Sequence, residues 1–374
     1  MQDFNFELMR TFNLSILIFF VFSIALYAQP QVENPRVHWL KGNYGVMVHW
    51  LFPTYKNKDV DKLTDNFDVD LFMRDFQATG ADWLIFTVGQ NSGTYASPNS
   101  VIDKYCGKGH CSKRDLALEI ARRVKKLGKR FIFYIPCEVR GNYTVRDGFC
   151  WVRNMHDPNL EFQKRWLEVL REWSLRFGKD VAGWWVDGAY ADVVPHLKWD
   201  EWHSALRAGN QHAVITFNGG IIRENCVFLL HPEHDITAGE VNFLANGKIL
   251  MNRDYDNMRL FLPNQPYLHP TKALWHILFP LDSYWAVYNN WNPPTKVWSS
   301  LPPYIPPFDS QKNRKARPPL YSEAELYAFM KHMSDIGGAT TINIGIYENG
   351  KMADESVALV KKVGERIKAQ KQKK

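Results

Sequence analysis

One carboxylate in this sequence occupies a position suited to catalysis. Asp187 directly follows the apolar run AGWWV at residues 182–186, and Gly188 comes next. The run predicts a buried β-strand, so Asp187 stands at its carboxyl end, where the glycine lets a ligand approach the backbone. A helix N-cap would lie one loop later, so capping does not explain this residue. Asp187 is therefore the first candidate for a nucleophile; the alternative is an aspartate that only bonds neighbouring loop amides.

Hydrolysis of a glycosidic bond requires a second carboxyl group. Three glutamates are candidates, namely Glu138, Glu233 and Glu240. Each of them could instead be a surface residue or a ligand for a sugar hydroxyl, and spacing alone does not choose among them. No Ser-His-Asp nucleophile elbow, P-loop or glycine-rich dinucleotide motif occurs where the strands would require one. Other polar or aromatic residues at predicted strand ends are His49, Trp50, Gln90, Asn91 and Asn218.

The elements that must position these residues alternate between strand-like and helix-like segments. Strands are predicted over residues 45–50, 82–87, 130–135, 181–187, 213–218 and 339–344, and helices over residues 68–79, 115–127, 158–177, 322–336 and 354–369. Ser322, with Glu325 three residues later, predicts a capping box. Residues 224–319 show few clear periods and must hold the sixth and seventh units. The alternation predicts an α/β fold, a single-domain (β/α)8 TIM-type barrel with its catalytic residues at the carboxyl ends of the strands.

The amino-terminal segment predicts export. Arg10 precedes an apolar run at residues 14–28, which is too short for a bilayer span and is typical of a secretory signal peptide. We therefore expect a signal peptide at residues 1–28, a catalytic domain at residues 29–374, no membrane span after removal of the signal, and a secreted or periplasmic protein. The oligomeric state is not indicated.

The net charge is +7, with part of it in the tail at residues 361–374. A solvated helix end is the default interpretation of that run. A modest attraction to an anionic polysaccharide is the alternative, and a nucleic-acid partner is not expected because no binding motif is present. The fourteen Trp residues indicate an aromatic core first and sugar-stacking surfaces second.

The chain has five cysteines, so at least one is unpaired in any monomer. Cys106 and Cys111 flank a four-residue loop that a disulfide could close in an oxidising compartment. No second Cys/His pair with ligand spacing accompanies them, so we predict no metal and no other cofactor.

Taken together, the segments resemble glycoside hydrolase family 29, the α-L-fucosidases, over nearly the whole chain after the signal peptide. Residues 45–50 (GVMVHW) resemble the family's first-strand pattern G-x-F-x-H-W-G, and residues 184–188 (WWVDG) resemble x-W-F-D-G, whose aspartate is the nucleophile. Residues 67–84, 114–131 and 337–345 resemble further family segments in the same order. The resemblance implies a retaining glycosidase that needs no cofactor, with Asp187 as nucleophile. It also implies a sugar site formed by His49, Trp50, Gln90, Asn91, Trp185 and Trp285.

The departures from the family pattern concern the substrate and the acid/base. The family's second strand ends T-K-H-H-D-G-F, whereas residues 87–93 read TVGQNSG, so Gln90 and Asn91 replace two histidines. Amides hydrogen-bond sugar hydroxyls but carry no charge, and the first subsite could therefore hold a sugar other than fucose. Residues 235–240 (DITAGE) resemble the family's D-x-x-T-P-E segment, which makes Glu240 the first candidate for the acid/base and Glu138 the second. The family's usual C-terminal β-sandwich is not expected.

Three functions remain open at this point. The first is cleavage of a terminal α-L-fucosyl or related sugar from an oligo- or polysaccharide. The second is a glycosidase for a different sugar, for example in a sulfated or otherwise anionic galactan or fucan. The third is a barrel that binds carbohydrate without cleaving it. A carboxylate about 5 Å from Asp187 would favour an enzyme, and an apolar wall opposite it would favour the binding protein.

Overall fold

The computed structural model describes residues 33–50, 59–152, 154, 156–190, 193–220, 229–241, 243–245, 248–250, 259–260, 263–282, 287–288, 316 and 318–373. The predicted signal peptide and Trp285 lie outside the described residues. No helix within these ranges is long and apolar enough to cross a membrane. Cys106 and Cys111 are free thiols, so the structure does not contain the disulfide that their spacing would allow.

The described residues form twelve strands. They are β1 Tyr44–Val48, β2 Trp83–Thr87, β3 Arg130–Pro136, β4 Gly183–Asp187, β5 Val214–Phe217, β6 Phe243–Ala245, β7 Lys248–Leu250, β8 Arg259–Leu260, β9 His276–Pro280, β10 Val287–Tyr288, β11 Ala339–Asn343 and β12 Ile346–Tyr347. Seven of them build one sheet in the order β5–β4–β3–β2–β1–β11–β9, and every neighbouring pair in it is parallel.

Helices connect the parallel strands, as the alternating pattern predicts. The described helices are α1 Val60–Asp65, α2 Val69–Thr79, α3 Ser100–Cys106, α4 Leu116–Lys126, α5 Tyr143–Gly148, α6 Leu160–Phe177, α7 Trp199–Leu206, α8 Glu323–Asp335 and α9 Asp354–Lys371. The capping box of α8 is present, with Ser322 and Glu325 in the expected reciprocal contacts. The six predicted strands are confirmed as β1–β5 and β11, and the five predicted helices as α2, α4, α6, α8 and α9.

The place of a sixth barrel strand is taken by an extended segment, residues 235–241. The amide of Asp235 donates to the carbonyl of Ile215 in β5 at 3.0 Å, and the amide of Val241 donates to Leu278 in β9 at 2.8 Å. Single parallel bridges join Ile236 to Leu274 and Glu240 to Leu278. This segment is not a regular strand, so within the described residues the fold is a seven-stranded parallel sheet consistent with a TIM-type barrel, and the predicted closed eight-stranded form is not shown.

Two hydrophobic layers lie on the two faces of the sheet. The outer layer fills the space between strands and helices and contains Trp184 and Phe217. The inner layer contains Tyr134 and Trp185. Because successive strand residues point to opposite faces, Trp184 and Trp185 belong to different layers. The inner layer supports the polar residues at the carboxyl ends of the strands.

Candidate active site

Asp187 is the last residue of β4, and the neighbouring strands supply its hydrogen-bond partners. The hydroxyl of Tyr134, in β3, donates to Oδ2 at 2.5 Å. Asn218, directly after β5, donates from Nδ2 to Oδ1 at 2.9 Å. Parallel strands bring their carboxyl ends to one edge of the sheet, which is why residues far apart in sequence meet here. Both oxygens of Asp187 are thereby fixed in orientation.

The same side-chain amide joins Asp187 to Glu240. Nδ2 of Asn218 donates to Oε2 of Glu240 as well as to Asp187. Burial raises the pKa of Glu240 to about 8, the negative charge of Asp187 adds to the rise, and the hydrogen bond from Asn218 opposes it. At neutral pH Glu240 is therefore protonated beside Asp187. A protonated carboxyl next to a second carboxylate is the arrangement needed for combined acid and nucleophilic chemistry.

Gln90 and His49 lie on the other side of Asp187. Nε2 of Gln90 donates to the hydroxyl of Tyr134 at 2.5 Å and lies 3.3 Å from Oδ2 of Asp187. Nε2 of His49 lies 3.4 Å from the same Gln90 nitrogen. Burial lowers the pKa of His49 to about 3, so its imidazole is neutral. The structure thus brings together Asp187, Glu240, Gln90 and His49, four of the residues predicted from the sequence.

Glu138 lies beside this group, and its carboxylate pairs with Arg140. Its Oε2 accepts from the backbone amide and Nε of Arg140 at 2.7 and 2.8 Å, and the side chain is fully buried. Burial raises its pKa, while the Arg140 guanidinium and the Asn91 side chain oppose the rise. Asn91 is therefore a neighbour of Glu138. The backbone amide of Asn91 donates to Oε1 of Gln90 at 2.7 Å. The arrangement favours Glu240 over Glu138 as the acid/base candidate.

Glu233 does not belong to this site. It is exposed and lies 3.5 Å from Nδ1 of His203, on helix α7. The carboxylate therefore cannot serve as the partner of Asp187 in this arrangement.

Two of the three tryptophans predicted to hold a sugar are buried in the hydrophobic layers. Trp50 is fully buried, packs against Phe67 and Phe86 in the outer layer, and donates from Nε1 to the carbonyl of Glu348 at 3.2 Å. Trp185 is also buried and stacks on Tyr134 with ring centroids 5.2 Å apart. Its ring therefore supports Tyr134 from the inner layer. Trp285 lies outside the described residues.

Three residues near the carboxylates were not predicted from the sequence. In the sequence Tyr134 is an ordinary residue of an apolar strand. It lies two residues after Ile132, so both side chains point to the inner face of the sheet. The charges of Asp187, then burial, then Glu240 and Glu138 raise the pKa of Tyr190, so its hydroxyl lies in the field of all three. The guanidinium of Arg140 lies 5.0 Å from the centre of the Tyr190 ring. Only the inward phase of Tyr134 could have been found in advance.

No protein-family model and no curated protein sequence matches the chain. Several solved structures are similar to the chain in fold. A variant of the endo-fucoidan hydrolase MfFcnA4, from glycoside hydrolase family 107, is similar with a TM-score of 0.63 and 14% identity. The similarity covers 90% of this chain and 54% of that one, so this chain spans about half its length.

Two further structures extend the comparison. The endo-fucoidan hydrolase P5AFcnA, also from family 107, gives a TM-score of 0.60 at 14% identity and covers 90% of this chain and 94% of that one. The α-L-fucosidase isoenzyme 1 from Paenibacillus thiaminolyticus gives a TM-score of 0.57 at 14% identity, with 90% and 76% covered. The likeness therefore does not single out family 29. The chain has the fold of fucosidase-like glycoside hydrolases.

Proposed function

We propose that this protein is a retaining glycoside hydrolase that cleaves a fucosyl or related glycosidic bond in an oligo- or polysaccharide. The observation that carries the proposal is the pairing of Asp187 and Glu240 through one amide nitrogen of Asn218. Because one oxygen of each carboxyl group hydrogen-bonds the same nitrogen, the two groups lie close together. This agrees with the separation of about 5–5.5 Å between the two carboxyl groups of retaining enzymes. The fold likeness to fucoidan hydrolases and fucosidases supports the class of substrate.

In the first step, Asp187 attacks the anomeric carbon while the bond from that carbon to the leaving oxygen breaks. Glu240 donates its proton to the leaving oxygen. The pKa of about 8 for Glu240 means that this proton is present at neutral pH. Tyr134 and Asn218 hold the Asp187 carboxylate in a fixed orientation, which keeps its attacking oxygen from rotating.

In the second step, Glu240 takes a proton from water, and the resulting hydroxide attacks the same carbon and releases Asp187. The charge of Asp187 is one cause of the raised pKa of Glu240. Because the glycosyl ester is neutral, this contribution disappears in the intermediate and the pKa of Glu240 falls. The carboxyl group thereby changes from an acid into a base at the point where a base is needed.

A second candidate substrate is an anionic fucan-type polysaccharide cleaved internally. Two of the similar structures are endo-fucoidan hydrolases. In addition, Gln90 and Asn91 replace the two histidines at the end of the second strand in the fucosidase pattern, and Gln90 lies 3.3 Å from the nucleophile Asp187. The catalytic carboxyl pair thus resembles that of a fucosidase, whereas the residues around the first sugar differ. This combination is consistent with a substrate other than a terminal fucoside.

The test is hydrolysis of aryl α-L-fucoside, aryl α- and β-galactosides, sulfated fucan and a panel of neutral polysaccharides, each with wild-type protein and with Asp187→Asn. We expect product from at least one substrate with retention of the anomeric configuration by NMR, and a rate lower by about 10³-fold or more in the variant. Release of fucose alone identifies an exo-acting fucosidase, and shorter sulfated oligosaccharides identify an endo-acting enzyme. Binding to a glycan without hydrolysis, equal in both proteins, would replace the enzyme with the carbohydrate-binding alternative.

A further inference from the structure

We propose that His203, His231 and Glu233 form a divalent-metal site, suited to Zn²⁺, that is separate from the active site. One ligand atom of each of these side chains lies within 4.8 Å of the other two. Two imidazole nitrogens and one carboxylate oxygen, completed by water, are a donor set that zinc uses in proteins. His203 comes from α7, whereas His231 and Glu233 come from the segment that precedes residues 235–241.

The burial of His203 provides an independent indication of a ligand. The residue is 5% exposed, and neither ring nitrogen has a hydrogen-bond partner among the residues that the structure describes. A buried polar group without a partner costs free energy, and a metal ion would satisfy one of these nitrogens.

The other two ligands can adjust to an ion. The Glu233 side chain is 64% exposed and lies 3.5 Å from Nδ1 of His203, so rotation can bring its oxygen to the distance of about 2.0–2.2 Å that zinc requires. His231 is half-buried. The amide of Glu233 reaches its Nδ1 at 3.4 Å, a long contact that a metal ligand can replace. The ring of Trp199 stacks on His231 with centroids 5.1 Å apart, which limits the tilt of the imidazole.

The site lies across strand β5 from the catalytic pair. Phe217, the last residue of β5, stacks on His234 in the outer layer with ring centroids 5.1 Å apart. The ring of His234 in turn lies beside that of the proposed ligand His203, with centroids 5.6 Å apart. The next side chain, Asn218, bonds Asp187 and Glu240 instead. A metal at His203, His231 and Glu233 would therefore not contact the reacting atoms. It would fasten α7 to the segment that continues into residues 235–241 and thereby to the backbone that carries Glu240.

The test uses the whole protein after treatment with EDTA, titrated with ZnCl₂ by calorimetry and followed by thermal unfolding. We expect one equivalent of bound Zn²⁺ and a Tm that rises with zinc concentration, because a ligand that binds only the folded state stabilises it. MgCl₂ should give no shift, since Mg²⁺ prefers oxygen ligands. His203→Gln and Glu233→Gln should weaken zinc binding by about 10-fold or more.

His212→Gln is the matched control because His212 is an exposed histidine in the loop between α7 and β5. This variant should keep the wild-type zinc affinity and the wild-type zinc-dependent rise in Tm. Glu233→Gln changes an exposed side chain, so it leaves folding intact even if the His203 variant does not fold. Zinc affinity in Glu233→Gln equal to that in His212→Gln, or no stoichiometric binding by the wild type, would overturn the proposal.

Discussion

The carboxyl groups of Asp187 and Glu240 accept hydrogen bonds from one and the same nitrogen, Nδ2 of Asn218. Two carboxylates so close together repel each other if both are ionised. Burial, followed by this repulsion, raises the pKa of Glu240 to about 8, so that one proton is retained at the pair. Asn218, the residue that follows β5, thus holds the two groups close together, and burial with the charge of Asp187 keeps Glu240 protonated.

Replacement of Glu240 by Gln should remove the acid and the base of the reaction. We expect kcat to fall by about 10²–10⁴-fold, and by less on an aryl glycoside whose leaving group needs no proton. Because Glu240 is protonated below a pKa of about 8, wild-type activity should decline as the pH rises through that value. The pH–rate profile of the variant should lack this decline. Glu355→Gln, an exposed change in the first turn of α9, should leave the profile unaltered.

Glu240→Gln should also change how the free energy of unfolding depends on pH. The folded-state pKa of about 8 exceeds the ordinary glutamate value of 4.5, so the folded protein binds more protons than the unfolded chain between these pH values. The free energy of unfolding of the wild type should therefore fall as the pH rises from 4.5 to 8. Glu240→Gln should lack this contribution, so urea denaturation at pH 5 and pH 9 should show a smaller difference than in the wild type. An equal difference in both proteins would contradict the raised pKa.

Asn218→Ala should remove the hydrogen bond that each of the two carboxyl groups accepts. Each lost hydrogen bond to a charged group is worth about 1.5–3 kcal/mol, so we expect kcat/KM to fall roughly 10- to 100-fold. Because the Asn218 hydrogen bond lowers the pKa of Glu240, its loss should move the alkaline limit of the pH–rate profile to higher pH. An unchanged limit with reduced activity would mean that Asn218 acts only on Asp187.

Tyr134→Phe should test the donor to the nucleophile. The substitution removes the hydroxyl that lies 2.5 Å from Oδ2 of Asp187 and keeps the ring that stacks on Trp185. We expect kcat/KM to fall by roughly 10- to 100-fold with little change in Tm. Tyr143→Phe is the matched control, since that side chain is 73% exposed. Equal kinetics in the two variants would exclude a role for the Tyr134 hydroxyl.

Strand periodicity predicts much of this site because it fixes where strands end. Asp187 and Asn218 were found as polar residues after apolar runs, and both lie at the carboxyl edge of the sheet. The same reasoning predicts Trp50 as a sugar-binding residue because it is adjacent to His49. In the structure Trp50 points into the outer hydrophobic layer. Neighbouring residues of an extended chain face opposite sides, so the position of His49 at the site places Trp50 away from it.

The remaining features depend on contacts between distant segments. Glu138, Glu233 and Glu240 are equivalent by residue type, and only tertiary structure distinguishes a buried partner of Arg140, an exposed glutamate and a neighbour of Asp187. Residues 235–241 do not read as a regular strand because the segment is short and Gly239 interrupts its apolar pattern. Their hydrogen bonds with β5 and β9 are therefore visible only in the folded chain.

Gly239 should be essential for the position of Glu240. Its φ is +67°, and a Cβ atom there would lie 1.9 Å from the carbonyl oxygen of His276. Gly239→Ala must therefore push residues 235–241 away from β9, and we expect a loss of about 2–4 kcal/mol in the free energy of unfolding, measured with urea. Gly128→Ala is the matched control, because Gly128 has a φ of +73° with no atom within 4 Å of the new Cβ. That variant should lose only the conformational cost of about 1 kcal/mol, and equal losses in the two proteins would show that the close approach to His276 does not constrain the segment that carries Glu240.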